Sequence, residues 1–507
     1  MNAVKRNRFV ALAVLAALPW AGAWACEGRV MAADGQAGVA GALVSDGRAV
    51  VASGEDGSFR LPDAPARLFV VAPDGWTVPR GDDGLPAFWR EGCGDLRLER
   101  EDAPRADASR VLVFSDPQTP SPREVEYYAR GAVATAAKEP DIAFGVTLGD
   151  ITQDEPALYP ALNRATATLG VPWLHLPGNH DIDPGADDDA SLASYHRVYG
   201  PDTYAWRSPH AVFVLLDNVV VLPGRRPPYV AGLRGEQFDF LENLLPHVPR
   251  DHLLVVATHI PWFDTAPPGA QPTVRTADRE RLFALLRDFP NVLLLSGHEH
   301  TQRQFFHGPE TGWHGAGPLR EYNVGAVCGS FWSGEPDALG IPDSRMADGT
   351  PKGFAVLTIR NGGGYALEWR PVGLPEGDPA QTVAMALHAP KVLRRGAYPA
   401  WRVYANVFLG HEGTRVEYRI DGGEWKPMAR VEMQDPRLMA GIARHDLADG
   451  LLSRDRAPEP EVSTHLWRGT LDTRLAAGVH RVEVRAFDDD GNEHRATVDY
   501  RLDEWQD

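Results

Sequence analysis

Five short apolar runs in the middle of the chain each end in a polar side chain that can bind a metal ion or move a proton. The runs begin at Val111, Val146, Leu174, Val255 and Leu293, and the motifs DPQ, GD, GNHD, TH and GHEH follow them. Apolar runs of this length are typical of buried strands. Ligand-binding residues of α/β sheets collect at the C-terminal ends of the strands, so we expect the five motifs to meet at one sheet edge.

Segments with helical spacing of apolar residues alternate with these strands. The spacing predicts helices over residues 123–137, 157–169, 235–245 and 279–289. Strands that alternate with helices are typical of layered α/β folds, in which helices cover the faces of a largely parallel sheet. The central region is therefore predicted to be an α/β layered core.

The length and composition are those of a soluble globular protein with several domains. The chain has 507 residues, of which 43% are apolar and 24% charged, and roughly three domains of about 150 residues are expected. This balance excludes a chain that is disordered throughout, a collagen, a coiled coil and a polytopic membrane protein.

The regions on either side of the core show β patterns. Residues 26–100 contain short apolar runs separated by Asp-Gly turns, which predicts an N-terminal β-sandwich. Residues 101–109 are polar and are predicted to be a linker, and residues 110–372 form the α/β domain. Residues 373–507 alternate apolar and polar side chains and predict a C-terminal β-rich domain, with a loop insertion around residues 435–462.

The first 25 residues resemble a secretory leader. A basic start that includes Lys5 precedes the apolar run from Phe9 to Leu18, and a cleavage site with small residues ends at Ala25. We therefore expect signal-peptide cleavage after Ala25 and a periplasmic or secreted location. The alternatives are an uncleaved N-terminal anchor and lipidation of Cys26. No later segment is apolar enough to predict a membrane-spanning helix.

Export permits disulfides, and the mature chain keeps three cysteines. Cys26 and Cys93 bracket a turn-rich segment, so a disulfide between them is predicted; the alternative is three free thiols, Cys328 included. No C-x-x-C motif is present, which disfavours thiolate zinc sites and thioredoxin-like chemistry.

The acidic balance of the chain limits its partners. The formal net charge is −18, so no specific nucleic-acid binding is expected, and an anionic substrate needs a local source of positive charge.

Carboxylate, imidazole and amide side chains together suit Zn, Mn and Fe ions. A single histidine is usually structural, but five motifs with the same placement provide enough ligands for two ions.

The motifs resemble those of the calcineurin-like metallophosphoesterases. That family has D-x-H, G-D, G-N-H-[D/E], a histidine after a further strand, and G-H-x-H, in the order found here. The resemblance covers about residues 110–370 and implies a four-layer α/β/β/α sandwich. The whole chain also resembles a bacterial subfamily with extra N-terminal and C-terminal β domains, and the stretches DGTPKG (348–353) and STHLW (463–467) add to this similarity.

The resemblance implies a binuclear centre of divalent or mixed-valence ions (Mn, Fe or Zn). By position, the ligands of the first ion are Asp116, Gln118, Asp150 and His300, and those of the second ion are Asp150, Asn179, His259 and His298. Asp150 would bridge the two ions. Gln118 departs from the family pattern, which most often has histidine there, and its neutral amide oxygen is a weaker ligand.

The implied activity is hydrolysis of a phosphate ester through attack by a hydroxide that bridges the metals, with His180 as the general acid that protonates the leaving oxygen. The acidic surface favours a phosphodiester substrate, since a diester carries one negative charge. Nucleotides, lipid head groups and envelope phosphopolymers are candidate substrates. The alternatives are a phosphomonoesterase with the same mechanism, a hydrolase of a non-phosphorus ester, and a cell-envelope binding protein with a degenerate metal site.

Candidate substrate-binding residues follow the fifth motif. Trp332 lies in the stretch from Cys328 to Gly334, where glycine and aromatic residues suit a substrate-facing loop; the alternative is a buried strand end. Lys352 is a candidate contact for an anionic group. Asp343 and Asp348 are candidates to order the same loop.

Overall fold

The computed structural model describes residues 26–505 except 82, 102–105, 268, 400 and 453. The predicted leader and part of the predicted linker lie outside the described residues. In the described part of the chain, no helix has the length and apolar character needed to cross a membrane.

Residues 26–100 form two four-stranded sheets, as predicted for a β-sandwich. The strands are β1 (Cys26–Ala32), β2 (Leu43–Ser45), β3 (Val50–Ala52), β4 (Ser58–Leu61), β5 (Arg67–Val71), β6 (Trp76–Thr77), β7 (Trp89–Glu91) and β8 (Leu96–Arg100). One sheet has the order β4-β1-β8-β6 and the other the order β3-β2-β5-β7. The predicted disulfide is present: it joins Cys26 to Cys93, whose Cα atoms are 5.5 Å apart.

Two larger sheets form the centre of the molecule. Their strands, together with one hairpin, are β9 (Ala108–Phe114), β10 (Ile142–Leu148), β11 (Trp173–Leu176), β12 (Thr203–Ser208), β13 (Ala211–Leu216), β14 (Val219–Val221), β15 (Tyr229–Ala231), β16 (Leu253–Ala257), β17 (Val292–Ser296), β18 (Arg303–His307), β19 (Leu319–Asn323), β20 (Gly353–Arg360) and β21 (Tyr365–Pro371). The five-stranded sheet has the order β11-β10-β9-β20-β21, and the six-stranded sheet the order β12-β13-β16-β17-β19-β18. In both sheets the strands that lead into the five motifs are parallel. Within each sheet the motifs therefore lie on the same side, at the C-terminal ends of the strands.

Helices cover the outer faces of these sheets. They are α1 (Pro122–Tyr128), α2 (Ala134–Ala136), α3 (Tyr159–Ala167), α4 (Ala193–Tyr199), α5 (Gly235–Leu244) and α6 (Thr276–Leu286). A π-helical turn joins α1 to α2, and α6 begins three residues before the predicted start.

Aromatic contacts show the order of the layers. Phe114 of β9 contacts Tyr128 of α1, with ring centroids 6.0 Å apart. The two sheets face each other through Phe144 and Phe213, whose ring centroids are 5.0 Å apart. The predicted four-layer α/β/β/α core is confirmed.

Aromatic side chains join the N-terminal sandwich to the central core. Phe69 of β5 lies edge-on to Phe240 of α5 at 5.9 Å, and Phe88 lies 4.8 Å from Tyr204 of β12. The buried apolar residues of both regions form one continuous cluster. The N-terminal sandwich is therefore packed against the core, and the domain boundaries stay predictions.

The C-terminal region forms a second sandwich with its own apolar core. Its elements are β22 (Met385–His388), β23 (Val392–Arg394), β24 (Arg402–Val407), β25 (Val416–Ile420), β26 (Lys426–Pro427), β27 (Ala429–Gln434), α7 (Pro436–Asp446), β28 (Val462–Thr470), β29 (Gly478–Phe487) and β30 (Glu493–Asp503). The two sheets have the orders β22-β24-β28-β27 and β23-β30-β29-β25-β26.

The segment predicted as a loop insertion lies between β27 and β28, but its first part forms the helix α7. The described residues of 447–461 form no helix or strand. Asp435 caps the helix by accepting the backbone N–H groups of Arg437 and Leu438. Leu438 and Ile442, four residues apart, bury one face of the helix. The surrounding turn residues obscure this short pattern in the sequence.

Candidate metal centre

The backbone is strained where the motifs end. Five of the predicted metal ligands adopt left-handed φ angles, namely Asp116 (49°), Gln118 (38°), Asp150 (48°), His298 (75°) and His300 (48°). Such conformations cost about 1–3 kcal/mol each in non-glycine residues and are typical of functional sites. The orientation of these side chains therefore lowers the stability of the fold.

Glycines allow the motif loops to approach one another. A Cβ atom at Gly178 would overlap the Asp150 carboxylate, and a Cβ atom at Gly297 would overlap the Ser115 hydroxyl. The glycines of the GNHD and GHEH motifs are thus required for close packing rather than for flexibility.

The predicted ligands of the second ion converge. The ligand atoms of Asp150, His259 and His298 all lie within 4.8 Å of one another. His259 Nε2 is 3.3 Å from Asp150 Oδ1, 3.2 Å from His298 Nδ1 and 3.0 Å from Asn179 Oδ1. Two imidazole nitrogens that face each other at this distance need a proton or a cation between them.

The inward orientation of His259 is set by its outer nitrogen. His259 Nδ1 lies 2.8 Å from the carbonyl oxygen of Leu148, which leaves Nε2 to face the cluster. The Asn218 side chain accepts the backbone N–H groups of His259 and Ile260 and so fixes the loop. Asn218 was not predicted from the sequence, because it lies outside the five motifs.

The predicted ligands of the first ion form an adjoining group. His300 Nε2 lies 3.5 Å from Asp116 Oδ1, and His300 Nδ1 lies 2.8 Å from the carbonyl oxygen of Gly329. Asp116 Oδ1 is buried and makes no hydrogen bond within the described structure beyond this long contact with His300. A buried carboxylate oxygen with so weak a contact is an atom that a cation would satisfy.

Gln118 lies beside both groups, with its amide nitrogen toward the shared carboxylate. Its Nε2 is 3.4 Å from Asp150 Oδ2, and its Oε1 is 3.7 Å from the Cys328 sulfur. Coordination through the amide oxygen requires the amide group to turn over, a rotation that exchanges two atoms of similar size. All seven predicted ligands are therefore brought together where the C-terminal ends of the motif-bearing strands of the two sheets meet.

The charges of the cluster fit a cation. Burial would lower the pKa of His259, but the Asp150 carboxylate raises that pKa to about 9. Burial, together with the charge of His259, lowers the pKa of His298 to about 3. One imidazole thus holds a proton at the position where the donor set would hold a metal ion, and carboxylate, imidazole and amide donors suit Zn, Mn or Fe.

His180 lies at the edge of the cluster and is not needed as a ligand. Its backbone N–H donates to Asp150 Oδ1 at 2.8 Å, and its ring Nδ1 is 3.0 Å from Asp154 Oδ1. The ring is 28% exposed, so it remains accessible to a bound molecule. Asp154 was not predicted as a site residue, although it stands only four residues after the GD motif.

Asp181 connects two of the motif loops. Its buried carboxylate accepts the backbone N–H groups of Gly178 and Ile151 and the hydroxyl of Tyr159. Burial, reinforced by the Asp150 charge, raises the pKa of Asp181 to about 7. Asp181 therefore holds the GD and GNHD loops together and contacts no ligand position through its side chain.

The two predicted substrate-binding residues do not reach the site with their polar groups. Trp332 is buried, and its indole N–H donates to the carbonyl oxygen of Pro117 at 3.0 Å. Lys352 is also buried, and its ammonium group donates to the carbonyl oxygen of Pro342. Both polar groups are thus bonded to backbone carbonyls of neighbouring segments, and the substrate-binding role of the two residues stays a prediction. The aromatic ring exposed beside the site is that of Phe331.

Two facing sheets with such a cluster at their common edge define a metallophosphoesterase core. Residues 109–302 match the family model described as "Calcineurin-like phosphoesterase". Residues 321–494 match the model described as "C terminal of Calcineurin-like phosphoesterase". The chain belongs to the calcineurin-like phosphoesterase family, as its motifs predict.

Curated relatives share part of this region. A 3′,5′-cyclic adenosine monophosphate phosphodiesterase of Escherichia coli (strain K12) is 31% identical over 168 residues, which are 31% of this chain and 54% of that protein. A probable cyclic nucleotide phosphodiesterase of Rhodopseudomonas palustris is 33% identical over 145 residues, 26% of this chain and 48% of that protein. The chain thus spans about half the length of these relatives.

A solved structure of a purple acid phosphatase from yellow lupin (Lupinus luteus) seeds is similar over 66% of this chain and 67% of that chain. The TM-score is 0.39 and the sequence identity 13%, a likeness too distant to bear on function.

Proposed function

We propose that the protein is a metal-dependent phosphodiester hydrolase with a binuclear centre. The observation that carries the proposal is the convergence of Asp150, His259 and His298 within 4.8 Å, next to the Asp116–His300 pair. Asp150 Oδ1 faces His259 and its Oδ2 faces Gln118, which supports a role for this carboxylate in holding both ions.

Two ions held by these residues would supply the positive charge that attracts a phosphoryl group and would lower the pKa of a water molecule. The protein's own residues orient the ligand carboxylates and protonate the leaving oxygen. Asp150 and Asp116 are oriented by backbone N–H groups of His180 and His298. His180 is placed to give a proton to the leaving oxygen as the P–O bond breaks and the oxygen of water bonds to phosphorus.

Asp154 supports the acid role of His180. The Asp154 carboxylate lies 3.0 Å from Nδ1 of His180 and directs Nε2 away from Asp154. The arrangement separates the residues that hold the ions from the residue that holds the proton. General acids of this kind contribute about 10²–10⁴ in rate.

Two properties favour a diester. The curated relatives are named as phosphodiesterases, and the chain's net charge of −18 disfavours approach of a dianionic monoester. The alternative remains a phosphomonoesterase with the same residues in the same roles.

The test combines metal content with hydrolysis. The purified full chain would be assayed for Mn, Fe and Zn, and then for hydrolysis of bis(4-nitrophenyl) phosphate and 4-nitrophenyl phosphate. We expect about two ions per chain, faster diester hydrolysis, and loss of both metal and activity in Asp150→Ala. The matched control is Asp490→Ala, which alters a partly exposed carboxylate paired with Arg360 outside the motif loops and should retain its metal.

An absence of hydrolysis after addition of Mn, Zn or Fe would overturn the proposal. A protein that binds metal but cleaves neither ester would favour the binding protein with a degenerate site. Faster monoester than diester hydrolysis would keep the mechanism and reject the substrate class.

We further propose that the protein acts outside the cytoplasm. The leader pattern in residues 1–25 and the disulfide between Cys26 and Cys93 support this location. N-terminal sequencing of protein from fractionated cells is expected to begin at Cys26 in the exported fraction, and intact Met1 in the cytoplasmic fraction would contradict it.

A further inference from the structure

Phe331 is an exposed aromatic side chain in an otherwise buried loop. Its side chain is 51% exposed, whereas Ser330 is 3% and Trp332 is 7% exposed. Single exposed apolar residues are common on protein surfaces. The backbone and the neighbours of Phe331 distinguish it from these.

The loop holds Phe331 in a strained conformation. Phe331 and Trp332 have φ angles of 56° and 55°, which are unfavourable for bulky residues. Trp332 maintains them, because its indole N–H binds the Pro117 carbonyl at 3.0 Å and its backbone N–H binds the Cys328 carbonyl at 3.1 Å. The buried tryptophan thus anchors the loop and keeps the phenylalanine ring outside the core.

The Phe331 ring lies against the candidate metal centre. Its centroid is 4.6 Å from the His300 ring, and the planes are inclined by 32°. One side of the phenyl ring therefore covers a predicted metal ligand, and the remainder is open to solvent. On the other histidine of the GHEH motif, Tyr229 lies edge-on to His298, with ring centroids 5.7 Å apart.

We propose that Phe331 determines specificity by stacking on a planar aromatic ring, such as a nucleobase, attached to the substrate's phosphoryl group. The proposal rests on the proposed function only for the position of the phosphoryl group at the metal cluster. Stacking of a base on an aromatic side chain stabilises complexes by about 1–3 kcal/mol, which corresponds to about 5- to 150-fold in affinity. A pre-positioned ring loses little conformational entropy when it binds.

The test measures binding and does not depend on turnover. The manganese-loaded full chain would be titrated calorimetrically with adenosine 5′-monophosphate and with ribose 5-phosphate, which has a hydroxyl group in place of the base. We expect the nucleotide to bind at least about 5-fold more tightly. In Phe331→Ala its affinity should fall to that of ribose 5-phosphate, whose own affinity should change less than about twofold.

Three further variants separate stacking from other roles. Phe331→Tyr should keep the preference for the nucleotide. Phe331→Leu keeps apolar cover over His300 but should lose most of the preference. Trp401→Ala removes a ring that is 50% exposed in the C-terminal region and should leave both affinities unchanged.

Equal affinities in the wild-type protein, binding of neither ligand, or an equal loss of both in Phe331→Ala would overturn the proposal. Hydrolysis of bis(4-nitrophenyl) phosphate by the same preparation distinguishes the two ideas. If the enzyme is active but shows no base preference, the stacking proposal is rejected and the proposed function stands. If the protein is inactive but shows a base preference that requires Phe331, the proposed hydrolysis is rejected and the stacking proposal stands.

Discussion

At the residue scale, the histidines of the candidate site are oriented by contacts of the ring nitrogen Nδ1 with other protein groups. His259 and His300 each place Nδ1 on a backbone carbonyl, which directs Nε2 into the cluster. His180 differs, because its Nδ1 faces the Asp154 carboxylate. These contacts are consistent with the predicted ligand roles of His259 and His300 and with the proposed general-acid role of His180.

Asp154→Asn should impair proton donation while leaving the metal centre intact. The neutral amide is a weaker hydrogen-bond acceptor for His180 Nδ1 than the carboxylate and holds the ring less firmly, so we expect kcat to fall about 10- to 100-fold for an ester with an alkoxide leaving group. With 4-nitrophenolate, which leaves without a proton, the loss should be less than about threefold. Metal content should be unchanged. Equal losses for both leaving groups would contradict the positioning role.

His175 gives a prediction about acid stability. This histidine on β11 is buried against Tyr199, and neither ring nitrogen has a hydrogen-bond partner among the described residues. Burial lowers its pKa to about 3, against about 6.5 in an unfolded chain. As the pH falls below 6.5, His175 becomes protonated in the unfolded chain but stays neutral in the folded chain. The free energy of unfolding therefore declines.

We therefore expect the wild-type protein to lose about 2 kcal/mol of unfolding free energy from this group between pH 7 and pH 5. His175→Leu should lose correspondingly less, since leucine does not titrate. Urea unfolding at the two pH values measures the difference, and the exposed His314 provides the control variant His314→Leu. Parallel pH dependences in all three proteins would contradict the assignment.

At the element scale, the loop that precedes β20 connects the core to the C-terminal sandwich. Asp348, buried in this loop, accepts the backbone N–H groups of Gln302 and Thr350 and lies 3.0 Å from His465 Nε2 of β28. Gln302 follows the GHEH motif by two residues. The C-terminal sandwich is thus linked, through one carboxylate, to the segment that carries two predicted ligands.

Asp348→Ala should destabilise the fold by about 3–5 kcal/mol, because it leaves buried donors without an acceptor. Urea unfolding followed by fluorescence would measure the change. The control is Asp490→Ala, which removes a partly exposed ion pair with Arg360 and should cost less than about 1 kcal/mol. Similar losses in the two variants would contradict a special role for Asp348.

At the scale of the whole molecule, two β-sandwiches flank one layered core, but they join it differently. The N-terminal sandwich shares a continuous apolar core with the centre, whereas the C-terminal sandwich has a core of its own and adds Ala386 and Phe408 to the central apolar cluster. Polar links between the C-terminal sandwich and the centre include Asp348–His465 and Arg320–Asp489. The candidate site is therefore supported mainly by the central sheets.

Removal of metal should lower the stability of the whole protein. Chelation leaves the buried Asp116 Oδ1 with the long 3.5 Å contact to His300 in place of a cation, and a ligand present at 100 times its dissociation constant stabilises the native state by about 2.7 kcal/mol. We expect the thermal midpoint to fall by several degrees in a chelator and to recover with Mn or Zn. Asp150→Ala should show no such shift, and an equal shift in that variant would contradict metal binding at this cluster.

The sequence alone determined the layered core, both sandwiches, the disulfide and the family, because periodicity, turn residues and contiguous motifs are local properties of the chain. It did not indicate Asp154, Asn218 or the exposure of Phe331 over the buried Trp332. These roles arise from contacts between segments distant in sequence or from a loop conformation that no local pattern records. The burial of Lys352 and its hydrogen bond to the Pro342 carbonyl were likewise decided by the tertiary structure, because burial and hydrogen-bond partners are set only when the sheets pack against each other.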